Sequence, residues 1–132
     1  MEKIAEGIIA VYKPAGMSSH DVVDRIRRAS GIRTVGHAGT LDPLARGVLV
    51  IGVGRTATRQ LATIVQHDKE YLTTVRLGVT SSTDDEEGEK TTHVIDIVPA
   101  REAVDAAVES VIGTIMQVPP IYSALKIKGK PA

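Results

Sequence analysis

Hydrophobic and polar positions along this chain change period every few residues, and each change marks an element. Residues 7–13, GIIAVYK, form an unbroken apolar run, which predicts a buried strand. PAG at 14–16 then breaks it as a turn. In SSHD, 18–21, Ser18 and Asp21 stand at capping-box spacing and open a helix that runs to about Ser30. Val22, Val23, Ile26 and Ala29 form its apolar stripe, and Gly31 is its stop. GVLVIGV, 47–53, predicts a strand buried on both faces. Residues 55–66 return to helical spacing through Ala57, Leu61, Ile64 and Val65.

The second half alternates more and commits less. KEYLTTVRLGV, 69–79, predicts a strand with Tyr71, Thr73, Val75 and Leu77 on one face. A polar acidic loop follows at 80–91, then a strand at 92–98 and a helix at 99–113 with Val104, Val108, Val111 and Ile112 inward. The expected fold class is α+β (mixed α/β), a mostly antiparallel sheet flanked by helices. No repeat, low-complexity tract or linker interrupts it, so one domain is expected.

Composition narrows the chemistry. Among 132 residues there is no Phe, no Trp and no Cys, and only three Tyr. The core must therefore be aliphatic, and disulfides and thiolate metal sites are excluded. No apolar stretch approaches the ~20 residues of a membrane span, and GIIAV is too short for a signal peptide. A cytoplasmic chain is expected. Net charge is zero, yet its distribution is uneven. Residues 1–60 carry nine Lys/Arg against five acids, residues 61–110 four against eleven, and residues 111–132 three lysines and no acid. Two basic ends suit an anionic ligand; solvated surface faces account for the same pattern about as well.

Asp42-Pro43, inside HAGTLDPLARGVLVIGVG, is the one step that invites chemistry. Local rules make Asp42 a cap or turn residue and put Pro43 just after it. In its setting a second reading arises. Gly36 and Gly39 allow close backbone approach by a ligand, His37 can donate or stack, and the following strand would hold the loop rigid. A carboxylate so placed can act as nucleophile or general base. GVGR at 52–55 lacks the third glycine of a dinucleotide fingerprint, the four histidines have no metal-ligand spacing, and TDDEEGE fails the calcium-loop pattern.

GIIAVYKPAGMSSHDVVDRIRR, GHAGTLDPLARGVLVIGVG with GRTATR, DKEY and VPPIYSALK follow one another in order. Together they resemble the TruB-type tRNA pseudouridine synthases from about Gly7 to the end, with GTLDPLARGVL the most specific element. The acidic loop departs from that family's pattern, with Ser82 where the first Asp is usual. The resemblance implies isomerisation of a T-loop uridine to pseudouridine, with no cofactor and no metal. It makes Asp42 the essential carboxylate. Tyr71 becomes the residue that stacks on the flipped base and helps remove its C5 proton, and His37 the residue inserted into the T-loop. Lys13, Pro14, Tyr122 and Lys126 frame the pocket, as turn and packing residues or in contact with RNA. Gly39, Thr40 and Leu41 join the RNA-binding set, and Arg33 and Arg59 are the preferred phosphate contacts among arginines that include Arg25, Arg27 and Arg28.

The resemblance also implies a later arginine that pairs with the carboxylate, and no position here matches it. The expectation is therefore the N-terminal portion, 1–132, of a catalytic domain incomplete at its C-terminus, without a C-terminal RNA-binding domain. The expected partner is the tRNA T-arm, with no membrane, and the state of a complete chain is monomeric. The alternatives are a truncated tRNA-binding fragment without turnover, an RNA-guided synthase relative, and, least supported, a hydrolase using Asp42.

Overall fold

GIIAVYK becomes strand β1, Gly7–Lys13, in the computed structural model, which describes residues 4–118 and the backbone of 126–127 and 130–131. Residues 1–72 and 73–132 form two compact units. In the first, β1 is followed by helix α1, Ser19–Ser30, strand β2, Val35–Ala38, strand β3, Gly47–Val53, and helix α2, Arg55–Ile64. The sheet order is β1-β3-β2, antiparallel throughout.

Helix α1 begins and ends where its sequence dictates. The Ser18 hydroxyl accepts from the Asp21 N–H at 3.1 Å, and the Asp21 carboxylate accepts from the Ser18 N–H at 2.8 Å. This reciprocal box satisfies two of the donors that a helix start leaves open. Gly31 closes the helix in the left-handed region at φ +73°, its N–H donating to the Arg27 carbonyl.

Strand period then sorts side chains between two faces. Ile9 pairs with Ile51, Val11 with Leu49, and Lys13 with Gly47. Leu49, Ile51 and Val53 join Val35 and the α1 residues Val22 and Val23 in the buried core, with Ile9, Val11, Ile26 and Leu41 packed on it. On the other face Gly36 and Gly52 are cross-strand partners. A Cβ on Gly52 would lie 3.0 Å from the Ala57 backbone, and one on Gly36 would lie 3.3 Å from Leu61 Cδ1. Helix α2 thus lies against the sheet at backbone distance.

The expectation of full burial fails for β1 and β3 because α2 covers only one end of this second face. Tyr12 and Val48, cross-strand partners at its other end, are 63% and 68% exposed. The same packing corrects the reading of Gly36: its missing side chain makes room for α2, not for a ligand.

In the second unit, strands β4, Val79–Ser81, and β5, Lys90–Thr92, form an antiparallel hairpin around the acidic loop. Helix α3, Arg101–Glu109, follows, and two-residue strands β6, Lys126–Ile127, and β7, Lys130–Pro131, pair with each other. Three expectations are corrected. The strand predicted over 69–79 is confined to its last residue, and Tyr71, Thr73, Val75 and Leu77 are exposed. The strand over 92–98 ends at Thr92, leaving Val94, Ile97 and Val98 exposed. The helix over 99–113 stops at Glu109, with Val104 half-buried and Val108, Val111 and Ile112 exposed. Alternation becomes a strand only where a neighbour supplies the ladder, and among the described residues none pairs with 69–78. The chain is mixed α+β, and every strand among the described residues pairs antiparallel.

Candidate active site

The site is assembled from the first helix turn of α1, the end of β1, and the loop between β2 and β3. Asp42 opens a turn in this loop: the Ala45 N–H donates to the Asp42 carbonyl at 3.0 Å. Pro43 occupies the second position, where its fixed φ suits such a turn. The turn reading of Asp-Pro therefore holds, and no helix starts there.

Both neighbours of Asp42 are pinned from elsewhere in the chain. Before it, Leu41 is held by Ser19, the first residue of α1, whose hydroxyl accepts from the Leu41 N–H at 2.9 Å and donates to the Leu41 carbonyl at 3.0 Å. After it, the Pro43 carbonyl accepts from the Gly16 N–H at 2.8 Å and from Lys13 Nζ at 3.3 Å. Lys13 also donates to the carbonyls of Met17 at 2.7 Å and Pro14 at 3.0 Å. Its three N–H donors thus meet three backbone oxygens, and its side chain is 0% exposed. A lysine can be buried only when its donors are satisfied in this way. Every buried side-chain nitrogen or oxygen among the described residues has a hydrogen-bond partner.

Asp42 itself remains exposed. Its peptide neighbours are fixed while its carboxylate stays open to solvent. That is a useful arrangement for a group that must meet a substrate at a set position. On β2, five positions before Asp42 in sequence, the His37 ring is half-buried, with Nδ1 at hydrogen-bond distance from the Gly39 carbonyl. A carbonyl only accepts, so Nδ1 carries the proton, and Nε2 is the ring's other polar atom. Gly39 lies in the left-handed region at φ +76°, which lets the chain leave β2 sharply.

The other expected residues are more scattered. Pro14 and Thr40 are exposed, and Pro14 contributes its carbonyl to Lys13. Arg33 is exposed beside a shallow hollow that Arg27, Gly31 and Ile32 also line. Arg59 is exposed on α2. Arg27 is already engaged: Nη1 donates to Asp24 at 2.9 Å, Nη2 to the Val35 carbonyl at 3.0 Å, and Nε to the Arg33 carbonyl at 3.2 Å. Those bonds fasten the start of β2 to α1 and leave Arg27 a poor phosphate contact. Tyr71 sits beyond α2, outside any strand and 65% exposed, and among the described residues no hydrogen bond ties it to the Asp42 loop. Lys126 is described only as backbone in β6, and Tyr122 lies outside the described residues. No group of three or more His, Asp or Glu side chains gathers to hold a metal among the described residues. No helix among them is long and apolar enough to cross a membrane.

Residues 27–132 match the family model of TruB family pseudouridylate synthase, N-terminal domain. The chain belongs to the TruB family. It is 50% identical over 132 residues to the tRNA pseudouridine synthase B of Cutibacterium acnes, all of this chain and 44% of that protein. It is 51% identical over 136 residues to the protein of the same name from Mycobacterium tuberculosis, again all of this chain and 44% of that one. With the Streptomyces coelicolor protein of that name the identity is 52% over 124 residues, 94% of this chain and 41% of the relative. The chain spans less than half the length of the curated relatives it matches.

Within this TruB-family chain, Ser19 is the site residue that sequence reasoning missed. SSHD offers two adjacent serines, and spacing identified the first as the cap. The second has its partner 22 residues away, a distance at which no local signal operates.

Proposed function

We propose that this chain carries the catalytic carboxylate of a tRNA pseudouridine synthase, with Asp42 essential and a T-arm uridine as substrate. The supporting observation is the exposed Asp42 side chain on a turn pinned at both neighbouring peptides, in a chain of the TruB family. In this reaction the C1′–N1 bond of the uridine breaks and a C1′–C5 bond forms. C5 loses its proton, and N1 gains one. A fixed carboxylate suits either half of that exchange, by adding to a carbon or by taking a proton.

The base must first leave its stack, at a cost of a few kcal/mol. In this reading His37 enters the T-loop and holds the base out. Tyr71, exposed and aromatic, stacks on it, and Arg33 and Arg59 meet phosphates. A test is tritium release from a T-arm RNA labelled at uracil C5, with Asp42→Asn alongside, in the full-length protein that carries this sequence. Release that disappears in the variant supports the proposal. Release that survives Asp42→Asn removes the carboxylate from the chemistry. RNA binding without release from either protein would make the chain an RNA-binding module.

A further inference from the structure

We infer that Ser19 is a positioning residue for Asp42, fixing through the Leu41 peptide the backbone from which its carboxylate projects; this rests on the isomerase reading above. Ser19 is 3% exposed, and its hydroxyl makes two bonds to one residue, accepting from the Leu41 N–H and donating to the Leu41 carbonyl. Two bonds to one residue fix both its place and its rotation. Leu41 also packs its side chain on the core, so the residue before Asp42 is held at three points. The opposite side of Asp42 is held separately, by Gly16 and Lys13 on the Pro43 carbonyl. With both flanks fixed, the freedom left to Asp42 is mainly rotation of its own side chain.

Ser19 is able to do this because its own backbone is rigid. It is the first helical residue after the Ser18 cap, and the Ser18–Asp21 box ties that turn together. The Ser18 hydroxyl and N–H hold the Asp21 carboxyl below its ordinary value, so at neutral pH the box is intact. A substrate therefore meets a carboxylate whose origin is a capped helix start. Displacing a reacting group by about 1 Å costs on the order of a hundredfold in rate.

The test compares Ser19→Ala, Ser19→Thr and Ser19→Val in the full-length protein that carries this sequence. Thr and Val have the same shape, and only Thr keeps the hydroxyl. Steady-state tritium release from the C5-labelled T-arm RNA gives kcat and KM. Amide hydrogen exchange at Leu41 reads the clamp without any turnover. We expect kcat to fall roughly 10- to 100-fold in Ser19→Ala and Ser19→Val, with KM changed less than about threefold. Ser19→Thr should recover most of the loss, and Leu41 exchange should quicken in the Ala and Val variants only. Unchanged kcat in a folded Ser19→Ala overturns the inference. So does equal recovery by Val and Thr, since shape would then be what matters. Unfolding of all three variants at the assay temperature also overturns it, because Ser19 would be supporting the fold as a whole. If the unsubstituted protein releases no tritium, the isomerase reading fails first and this inference falls with it, whatever the exchange at Leu41 shows.

Discussion

Two lysines in this chain solve the same problem with different reach. Lys13 donates to the carbonyls of Pro14, Met17 and Pro43, and Lys90 donates to those of Asp85, Glu86 and Gly88. Each ammonium group thus sits among three backbone oxygens. The Lys13 partners span 30 positions of sequence, and its side chain is fully buried. The partners of Lys90 all lie within five residues, and its side chain is one-third exposed. The first joins the end of a strand to the turn that carries Asp42. The second ties together only the loop it belongs to. Hydrogen-bond number alone therefore says little about stability; burial and the sequence distance bridged decide it.

That contrast can be broken most directly by removing each lysine in turn. Lys13→Met keeps the length of the side chain and leaves three inward-facing carbonyls short of a donor, although Pro43 retains the Gly16 N–H. Unmet buried polar groups cost about 1–3 kcal/mol each before relaxation, so a loss of about 2–4 kcal/mol in urea unfolding is expected. Lys90→Met should cost no more than about 0.5 kcal/mol, the ordinary range for exposed sites. Equal losses from the two substitutions would end the comparison.

Hydrogen exchange sharpens it without any substitution. Ile51 and Val53 lie at the centre of a three-stranded sheet and are fully buried, whereas every residue of β5 is exposed. Amides of β3 should exchange at least ~100-fold more slowly than those of Lys90–Thr92, since local opening is easiest where little is buried.

The smallest expected effect is acid sensitivity. Hydrogen bonds from Ser18 lower the Asp21 pKa, and those from Thr83 and the Glu87 N–H lower that of Asp85. A carboxyl lowered in the folded state adds stability above its ordinary value of 3.8, and that stability is lost as pH falls through the lowered value. Asp21→Asn should therefore be less stable than the parent at about pH 6, with the gap narrowing as pH falls below 3.8, by urea midpoints. Asp85→Asn should show the same trend in the loop's own exchange rates. A variant gap that widens towards acid would contradict the assigned bonds.

The sequence disclosed most where signals are local. The Ser18–Asp21 box, the Gly31 stop and the Asp42-Pro43 turn are each complete within five residues, and the structure has each at the predicted place. Strands β1 and β3 were legible as apolar runs, but not their half-open face, because that depends on how far α2 reaches. Residues 69–79 misled for a related reason: an alternating pattern states which side chains share a face and is silent on whether a partner strand exists. At the site, Asp42 and His37 stood out by residue type and setting. The grip of Ser19 on Leu41 and of Lys13 on Pro43 crosses 22 and 30 positions, and one-dimensional spacing does not register such pairs.

The alternation of β1 has a further consequence. Ile9, Val11 and Lys13 share one side of the strand, so the buried lysine points inward only because an even count separates it from the core residues before it. Deleting or inserting one residue within 8–12 would turn every later side chain over. Lys13 would then exchange places with Tyr12, and Pro43 would lose its lysine. The carboxylate's footing is in that sense a matter of odd and even.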